Sequence, residues 1–372
     1  RLREEQEARR RAGDARVLGI GLSIYVEVTA GDLYEEYGSV TVEPDGRILM
    51  RVGTHSQGQG HETAYGQIVA SVLGVEPEQV TLLQGDTAEA PHGMGTVASR
   101  SMQTSGSALH ESAQAVLTKA RELAAHLLEA SVDDMILTGA GIGVAGVPAA
   151  ALTWGELALA AQGDDLPAGM SPNLAAETDF DQGEATYPFG AHVAVVEVDT
   201  HTGAVELLRH CAVDDCGTLI NPLLARGQVQ GGIAQGAAQA LFEEIRYDDE
   251  GTPLTATFLD YQIPGPPELP AFETRQIETP TPRNPLGVKG IGESGTIGSL
   301  PAVHNAVIDA LSHLGVRHID MPLHPQRVWR AIQRSSIRSG VGAVDAASSP
   351  PAPATSGRDG RRCGGGRDAP RW

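Results

Sequence analysis

Asn284-Pro-Leu-Gly-Val-Lys-Gly-Ile-Gly-Glu-Ser-Gly295 places one carboxylate, Glu293, among glycines at 287, 290, 292 and 295. Glycine lets a backbone approach a ligand closely and adopt positive φ at little cost. Neither core packing nor solubility accounts for a lone acid in such a segment. Apolar periodicity resumes at Pro301-Ala-Val-His-Asn-Ala-Val-Ile-Asp-Ala-Leu311, and proline suits a first helical turn, so a helix opening at Pro301 is predicted to support the loop. A fixed acid with low solvent access has the properties of a general base, because burial raises a carboxylate's proton affinity. The plainer reading of Glu293 is a helix cap. A helix that starts at Pro301 leaves it too far away for that.

Three further segments place a Gly-rich loop before a helix. Thr54-His-Ser-Gln-Gly-Gln-Gly-His-Glu62 precedes an apolar face of Ala64, Ile68, Val69, Val72 and Leu73. Pro91-His-Gly-Met-Gly-Thr-Val-Ala-Ser-Arg-Ser101 precedes a long pattern through Leu109, Val116, Leu123 and Leu127. Gly227-Gln-Val-Gln-Gly-Gly-Ile-Ala-Gln-Gly236 is predicted to be a loop leading into a helix over 237–244. Helix N-termini offer unpaired N–H groups and a positive dipole end, so each is a candidate anion cradle. These loops supply hydrogen bonds from Gln57, Gln59, His61, Thr96, Ser99, Gln228 and Gln235, with positive charge only from Arg100 and Lys289. That mixture suits a large heteroatom-rich cofactor better than ATP, for which the Walker pattern is missing. His55, His61 and Glu62 lack the i, i+4 histidine pair of a zincin, so no protein-ligated metal is predicted.

At 372 residues the chain can bury a sizeable core in more than one compact unit, and 41% hydrophobic with only 4% aromatic content implies a core of Val, Leu, Ile and Ala. A formal charge of −20 disfavours nucleic acid or an anionic membrane as main partner. No stretch is apolar enough to span a bilayer. Cys211, Cys216 and Cys363 have neither zinc-site nor iron–sulfur spacing and suit a reducing, cytoplasmic setting.

Along the chain, 1–16 is charged and helix-prone, and Val17–Val28 reads as a buried strand with close backbone approach at Gly19 and Gly21. Strands at 39–43 and 47–52 flank Pro44-Asp-Gly46. A helix over 62–73 then leads to a strand at 79–83, a β-α-β arrangement, and a helix near 105–129 follows. Residues 130–180 are predicted to be a connecting excursion with a short helix near Thr153–Ala161. A strand pair at 192–198 and 204–213 opens a second unit. The fold class is α+β, with mixed sheets and helices packed on them. Residues 336–372 are low-complexity, and a disordered tail is predicted there.

The four blocks, in this order, resemble the molybdenum-binding large subunit of the xanthine dehydrogenase, aldehyde oxidase and carbon monoxide dehydrogenase family. The likeness covers most of 10–335. It rests on Gln57-Gly-Gln-Gly-His61, Gly95-Thr-Val-Ala-Ser-Arg-Ser101, Asp215-Cys-Gly217 with Asn221-Pro222, and Gly287-Val-Lys-Gly-Ile-Gly-Glu293. It implies a molybdenum hydroxylase type of cofactor-binding domain. Glu293 is then the base in oxidative hydroxylation of an aldehyde, N-heterocycle or carbon monoxide with water-derived oxygen. Cofactor-binding residues on the matching positions are Gln57, Gly58, Gln59, Gly60, His61, Gly95, Thr96, Ser99, Arg100, Lys289, Gly290, Gly292 and, more weakly, Gln228.

The implied cofactor is molybdenum–molybdopterin cytosine dinucleotide. Iron–sulfur clusters and FAD belong to partner subunits, in a homodimer of heterotrimers. Residues 1–30 are then the end of an upstream cofactor domain with a linking strand. Residues 31–180 form a molybdopterin-binding subdomain, and 181–335 a second subdomain with the Glu293 loop. The family's N-terminal half and substrate-selecting loop have no counterpart before Arg1, so the chain resembles a C-terminal half and is expected to be inactive alone. A non-catalytic cofactor-binding remnant is the alternative.

Overall fold

The computed structural model describes residues 1–338. The chain opens with α1 (Leu2–Ala12) and β1 (Arg16–Val26). Strands β2 (Glu35–Val42) and β3 (Ile48–Val52) form the expected hairpin. Helix α2 (His61–Leu73) then carries the chain to β4 (Val80–Leu83), which runs parallel to β3 and completes the β-α-β unit. Helix α3 (Ser101–Leu127) packs with α2 over this sheet.

Residues 130–180 hold more structure than a connecting excursion. They contain an antiparallel sheet of β5 (Met135–Thr138), β6 (Gly141–Val144) and β7 (Val147–Thr153), then α4 (Trp154–Ala160) and β8 (Ala175–Asp181). Ala- and Gly-rich strands this short carry almost no period-two signal. The short helix is where the sequence places it, with Thr153 and Glu156 forming a capping box.

The second unit has β9 (Phe189–Asp199), β10 (Val205–Asp215), α5 (Pro222–Leu241), β11 (Glu273–Ile277), α6 (Ser294–Leu311) and α7 (Pro325–Arg338). Its sheet has the order β1-β9-β10-β11, and the other four-stranded sheet runs β4-β3-β2-β8. Strand β1 therefore belongs physically to the second unit, since it pairs along its whole length with β9. Two large apolar cores result, with a small third cluster of Ala212, Val229 and Ile233. One gathers Met50, Tyr65, Val69, Leu109 and Leu123 between sheet and helices; the other gathers Val196, Val303, Ala306 and Val307 under α6. Burying each Val, Leu or Met among them contributes about 1.5–3 kcal/mol before entropy is counted. Among the described residues no helix is long and apolar enough to cross a membrane. From residue 339 onward, the expected low-complexity tail and Cys363 lie outside the described residues, while 336–338 close α7.

Three local readings need correction. Beyond Leu22, β1 is buried on one face only. Gly19, Gly21, Ser23 and Tyr25 alternate towards α6, while Leu22, Ile24 and Val26 are 59%, 78% and 71% exposed. The stretch 227–236 is helical rather than a loop. Asn221 caps α5 by accepting from Leu224 N at 3.0 Å, Pro222 takes the first turn, and the glycines allow α5 to press on α6. A Cβ on Gly236 would lie 2.1 Å from Ser299 Oγ. Finally, α6 begins at Ser294, so Pro301 lies inside it and Glu293 is its N-cap residue.

Close approach of β1 to α6 gives a direct test. A Cβ on Gly21 would sit 2.0 Å from Ala302 O and 2.3 Å from Ala306 N, both backbone atoms that cannot yield cheaply. Gly21→Ala is expected to destabilise the chain by about 1–3 kcal/mol or more, read as a lower denaturant midpoint. An unchanged midpoint would contradict this packing.

Candidate active site

The loops ahead of α2, α3 and α6 and the first turns of α5 meet around one cavity of about 350 Å³. Its wall carries Gln57, Gln59, His61, Thr96, Ser99, Arg100, Gln228, Lys289, Gly290, Gly292 and Glu293. Of the residues named from sequence, Gly58, Gly60 and Gly95 stay behind the wall, where φ of 113°, 76° and 78° shapes the loops. Thr96 ties the first two loops together: its Oγ1 donates to His55 O at 2.7 Å and accepts from His55 N at 3.1 Å. Gly290 lets the fourth loop touch the second, since a Cβ there would fall 2.2 Å from Ser99 O.

Ser99 joins the two halves of the site. Ala98 and Ser99 hold left-handed φ of 50° and 54°. That conformation costs of order 1–3 kcal/mol per non-glycine residue and persists only where its surroundings over-determine it. Ser99 Oγ donates to Glu293 Oε2 at 2.8 Å and accepts from Glu293 N at 3.1 Å. Although Glu293 is the N-cap residue of α6, its side chain makes no cap bond. The carboxylate is aimed at Ser99 and lies at the positive end of the helix dipole, but it stands exposed on the cavity wall, so the low solvent access expected of it from sequence is not found.

Beside Ser99 lies a buried carboxyl, Glu27, which is not among the residues named from sequence. It is 7% exposed, accepts from Ser294 Oγ at 3.2 Å, and lies 3.4 Å from Ser99 Oγ. Burial first, then the nearby charge of Glu293, push its pKa up to about 7, against the hydroxyls of Ser294 and Ser99. A signal was present: a lone acid inside the apolar run Ile24-Tyr-Val-Glu-Val28. Thr218, Ile220 and Met102 also line the cavity without having been singled out.

Both predicted cations turn away from the cavity. Arg100 is fully buried, ion-paired with Glu36, and donates to the carbonyls of Leu33 at 2.9 Å and Gly95 at 2.7 Å. Lys289 Nζ lies 2.7 Å from Asp215 Oδ2 and 2.9 Å from Thr279 Oγ1, beside the Phe189 ring. Both residues build the walls, and their charges are used by carboxylates. Gln57 and Gln59 bond chiefly to one another and to His55. His61 stacks on Tyr65 at 4.8 Å and is 5% exposed, and burial holds its pKa below the ordinary imidazole range. Its buried Nδ1 has no partner.

Helix N-termini converging on one cavity beside a fixed carboxylate define a candidate cofactor-binding site. The family described as Molybdopterin cofactor-binding domain matches residues 1–270, and the chain belongs to it. It is 39% identical over 343 residues to the carbon monoxide dehydrogenase large chain of Afipia carboxidovorans, covering 88% of this chain and 42% of that one. It is 36% identical over 343 residues to the nicotine 6-hydroxylase large subunit of Paenarthrobacter nicotinovorans, covering 89% and 42%. Reconstituted CO dehydrogenase from Oligotropha carboxidovorans matches with TM-score 0.83 and 37% identity, over 91% of this chain and 44% of that one. The chain thus spans less than half the length of these relatives. The lining of its cavity suits a pterin-type ligand: Gln57, Gln59, Gln228, Thr96 and Ser99 supply hydrogen-bonding groups on the wall, and the buried Nδ1 of wall residue His61 has no partner. Among the described residues no three His, Cys, Asp or Glu side chains gather as a possible metal site.

Proposed function

We propose that this chain supplies the base-bearing wall of the active site in a molybdenum hydroxylase large subunit. The observation that carries the reading is the Glu293 carboxylate, fixed on the cavity wall by Ser99 at 2.8 Å. A general base needs a carboxylate held within reach of substrate and not neutralised by a cation. Glu293 meets that need: the two nearby cations are taken by Glu36 and Asp215. Gln57, Gln59, His61 and Gln228 would hold the pterin and its dinucleotide. The α2 and α3 N-termini would lie against the pyrophosphate. When bound, molybdenum supplies Lewis acidity and the electron sink for oxidising the substrate carbon. The protein's own share is to hold the guest, place Glu293 and accept the proton released from the water-derived oxygen.

The substrate class is an aldehyde, N-heterocycle or carbon monoxide. Electrons pass to iron–sulfur and FAD-binding partner subunits, within a homodimer of heterotrimers. The exposed apolar strip of Leu22, Ile24 and Val26 supports a role in an assembly, because such a strip seeks cover. The chain alone is read as incompetent for turnover.

The cofactor is read as the cytosine dinucleotide form. Protein purified with its neighbouring subunits is expected to contain molybdenum and to release CMP on acid treatment. Finding neither pterin fluorescence nor nucleotide in the intact complex would sink the proposal; a different nucleotide would overturn the cytosine form alone.

A further inference from the structure

We propose that Glu27 and Glu293 form one coupled carboxyl pair bridged by Ser99, with Glu27 the positioning residue that stands behind the base and receives its proton. The proposal rests on Glu293 acting as the base. Period-two alternation continued from β1 turns Glu27 to the α6 side, beyond Ser23 and Tyr25. Its main-chain N–H is anchored to Pro188 O at 3.0 Å, which fixes the strand end from which the carboxyl projects.

The groups facing Glu27 are few. From α6 come Glu293 and the Ser294 hydroxyl; from the loop before α3 comes Ser99. Tyr25, on its own strand, is held by Asp214 of β10 at 2.6 Å. Among the described residues no Lys, Arg or His forms an ion pair with Glu27. Burying a charge without a cation is costly, and neutralisation by a proton is the usual outcome. The raised pKa of Glu27, to about 7, follows from that burial and from the Glu293 charge.

Ser99 has a single hydroxyl hydrogen but lies against a carboxyl oxygen of each acid. The 2.8 Å contact gives that hydrogen to Glu293, while 3.4 Å to Glu27 is long for O–H···O. A second full bond across Ser99 needs a proton on one of the two acids. After Glu293 takes a proton, its O–H can pass the hydrogen to Ser99 Oγ as Ser99 releases its own to ionised Glu27. One O–H bond breaks on Glu293, one forms on Glu27, and Ser99 is unchanged. Glu293 is again a carboxylate.

The test uses the full chain and infrared difference spectra between about pH 6 and about pH 8. Wild type is expected to lose one carboxylic-acid carbonyl band in this window. Glu27→Gln is expected to abolish that band. Glu293→Gln should keep it but move its midpoint to lower pH, because a neutral neighbour no longer opposes ionisation of Glu27. Stability gives a second reading. The folded-state pKa of Glu27 lies above the unfolded one, so the folded protein keeps a proton that the unfolded chain has lost, and stability declines as pH rises towards and through about 7. The melting temperature of Glu27→Gln relative to wild type should therefore rise across the same window. A band that survives in Glu27→Gln, or a midpoint unmoved in Glu293→Gln, overturns the coupling. Substrate turnover by Glu293→Gln would overturn the base assignment while leaving the infrared result standing, so the two ideas fail separately.

Discussion

Glu293→Gln in the assembled enzyme is expected to lower turnover per bound molybdenum by about 10²–10⁴-fold, the usual worth of general-base assistance. Molybdenum and nucleotide content should stay at wild-type levels. The substitution keeps size and shape, and the amide oxygen can still accept the 2.8 Å bond from Ser99 Oγ, so the loop before α6 keeps its anchor. Gln cannot take up a proton near neutral pH, so the exchange removes the base together with its charge while keeping the shape. Because the residue is exposed and makes no cap bond, the fold should be indifferent to the exchange. The loss belongs in the reductive half-reaction, followed by rapid mixing with substrate in the absence of an electron acceptor. Glu62→Gln is the matched control. Glu62 lies in the first turn of α2, accepts from Gln84 Nε2 at 2.7 Å, and has no place on the cavity wall. Near-normal turnover by Glu293→Gln per molybdenum would reduce the Gly287–Gly295 loop to a cradle.

The parts of this fold that were legible in sequence are those set by local periodicity and turn chemistry. The β2–β3 hairpin around Pro44-Asp-Gly46, the β3-α2-β4 unit and the β9–β10 pair each announce themselves within a short window. Features decided by tertiary packing did not. Glycines at 227, 231, 232 and 236 weaken helix propensity by about 1 kcal/mol each, so the segment reads as a loop. The compensation is the α6 backbone pressed against α5, which no local pattern records. The start of α6 was misplaced for the same reason, because Gly295 and Gly298 dilute its first turns and Pro301 imitates a beginning.

The site shows the same division. Cavity-lining Gln57, Gln59, Ser99, Gln228 and Glu293 follow from loops at helix starts or from the resemblance. The direction of a charged side chain does not follow from sequence. Arg100 and Lys289 lie beside the cavity in sequence and structure, yet their charges are spent on Glu36 and Asp215, residues far away along the chain. Glu27 was hidden because one acid in an apolar strand does not reveal which face it takes.

Removing the Arg100 guanidinium should produce the largest stability loss. Arg100→Met preserves much of the apolar stem but leaves Glu36, whose side chain has no exposed surface, as an uncompensated buried charge. Breaking such a pair from one side typically costs about 3–5 kcal/mol. The carbonyls of Leu33, Glu35 and Gly95 lose a donor as well, and the remaining bonds to Glu36, from Tyr37 N at 3.1 Å and Met94 N at 3.2 Å, do not supply a charge. The denaturant midpoint should fall steeply, and since Gly95–Ser99 would lose its inner anchor, molybdenum content should fall with it. Arg100→Lys should not rescue, because an ammonium cannot reproduce the planar fork that reaches several acceptors at once. Adding Glu36→Gln to Arg100→Met should recover part of the loss by removing the stranded charge, which distinguishes charge burial from lost packing. A midpoint unchanged in Arg100→Met would mean that the guanidinium is not committed inward and is free to face the cavity. A double variant no better than the single one would place the cost in the lost carbonyl bonds, with the Glu36 charge contributing little.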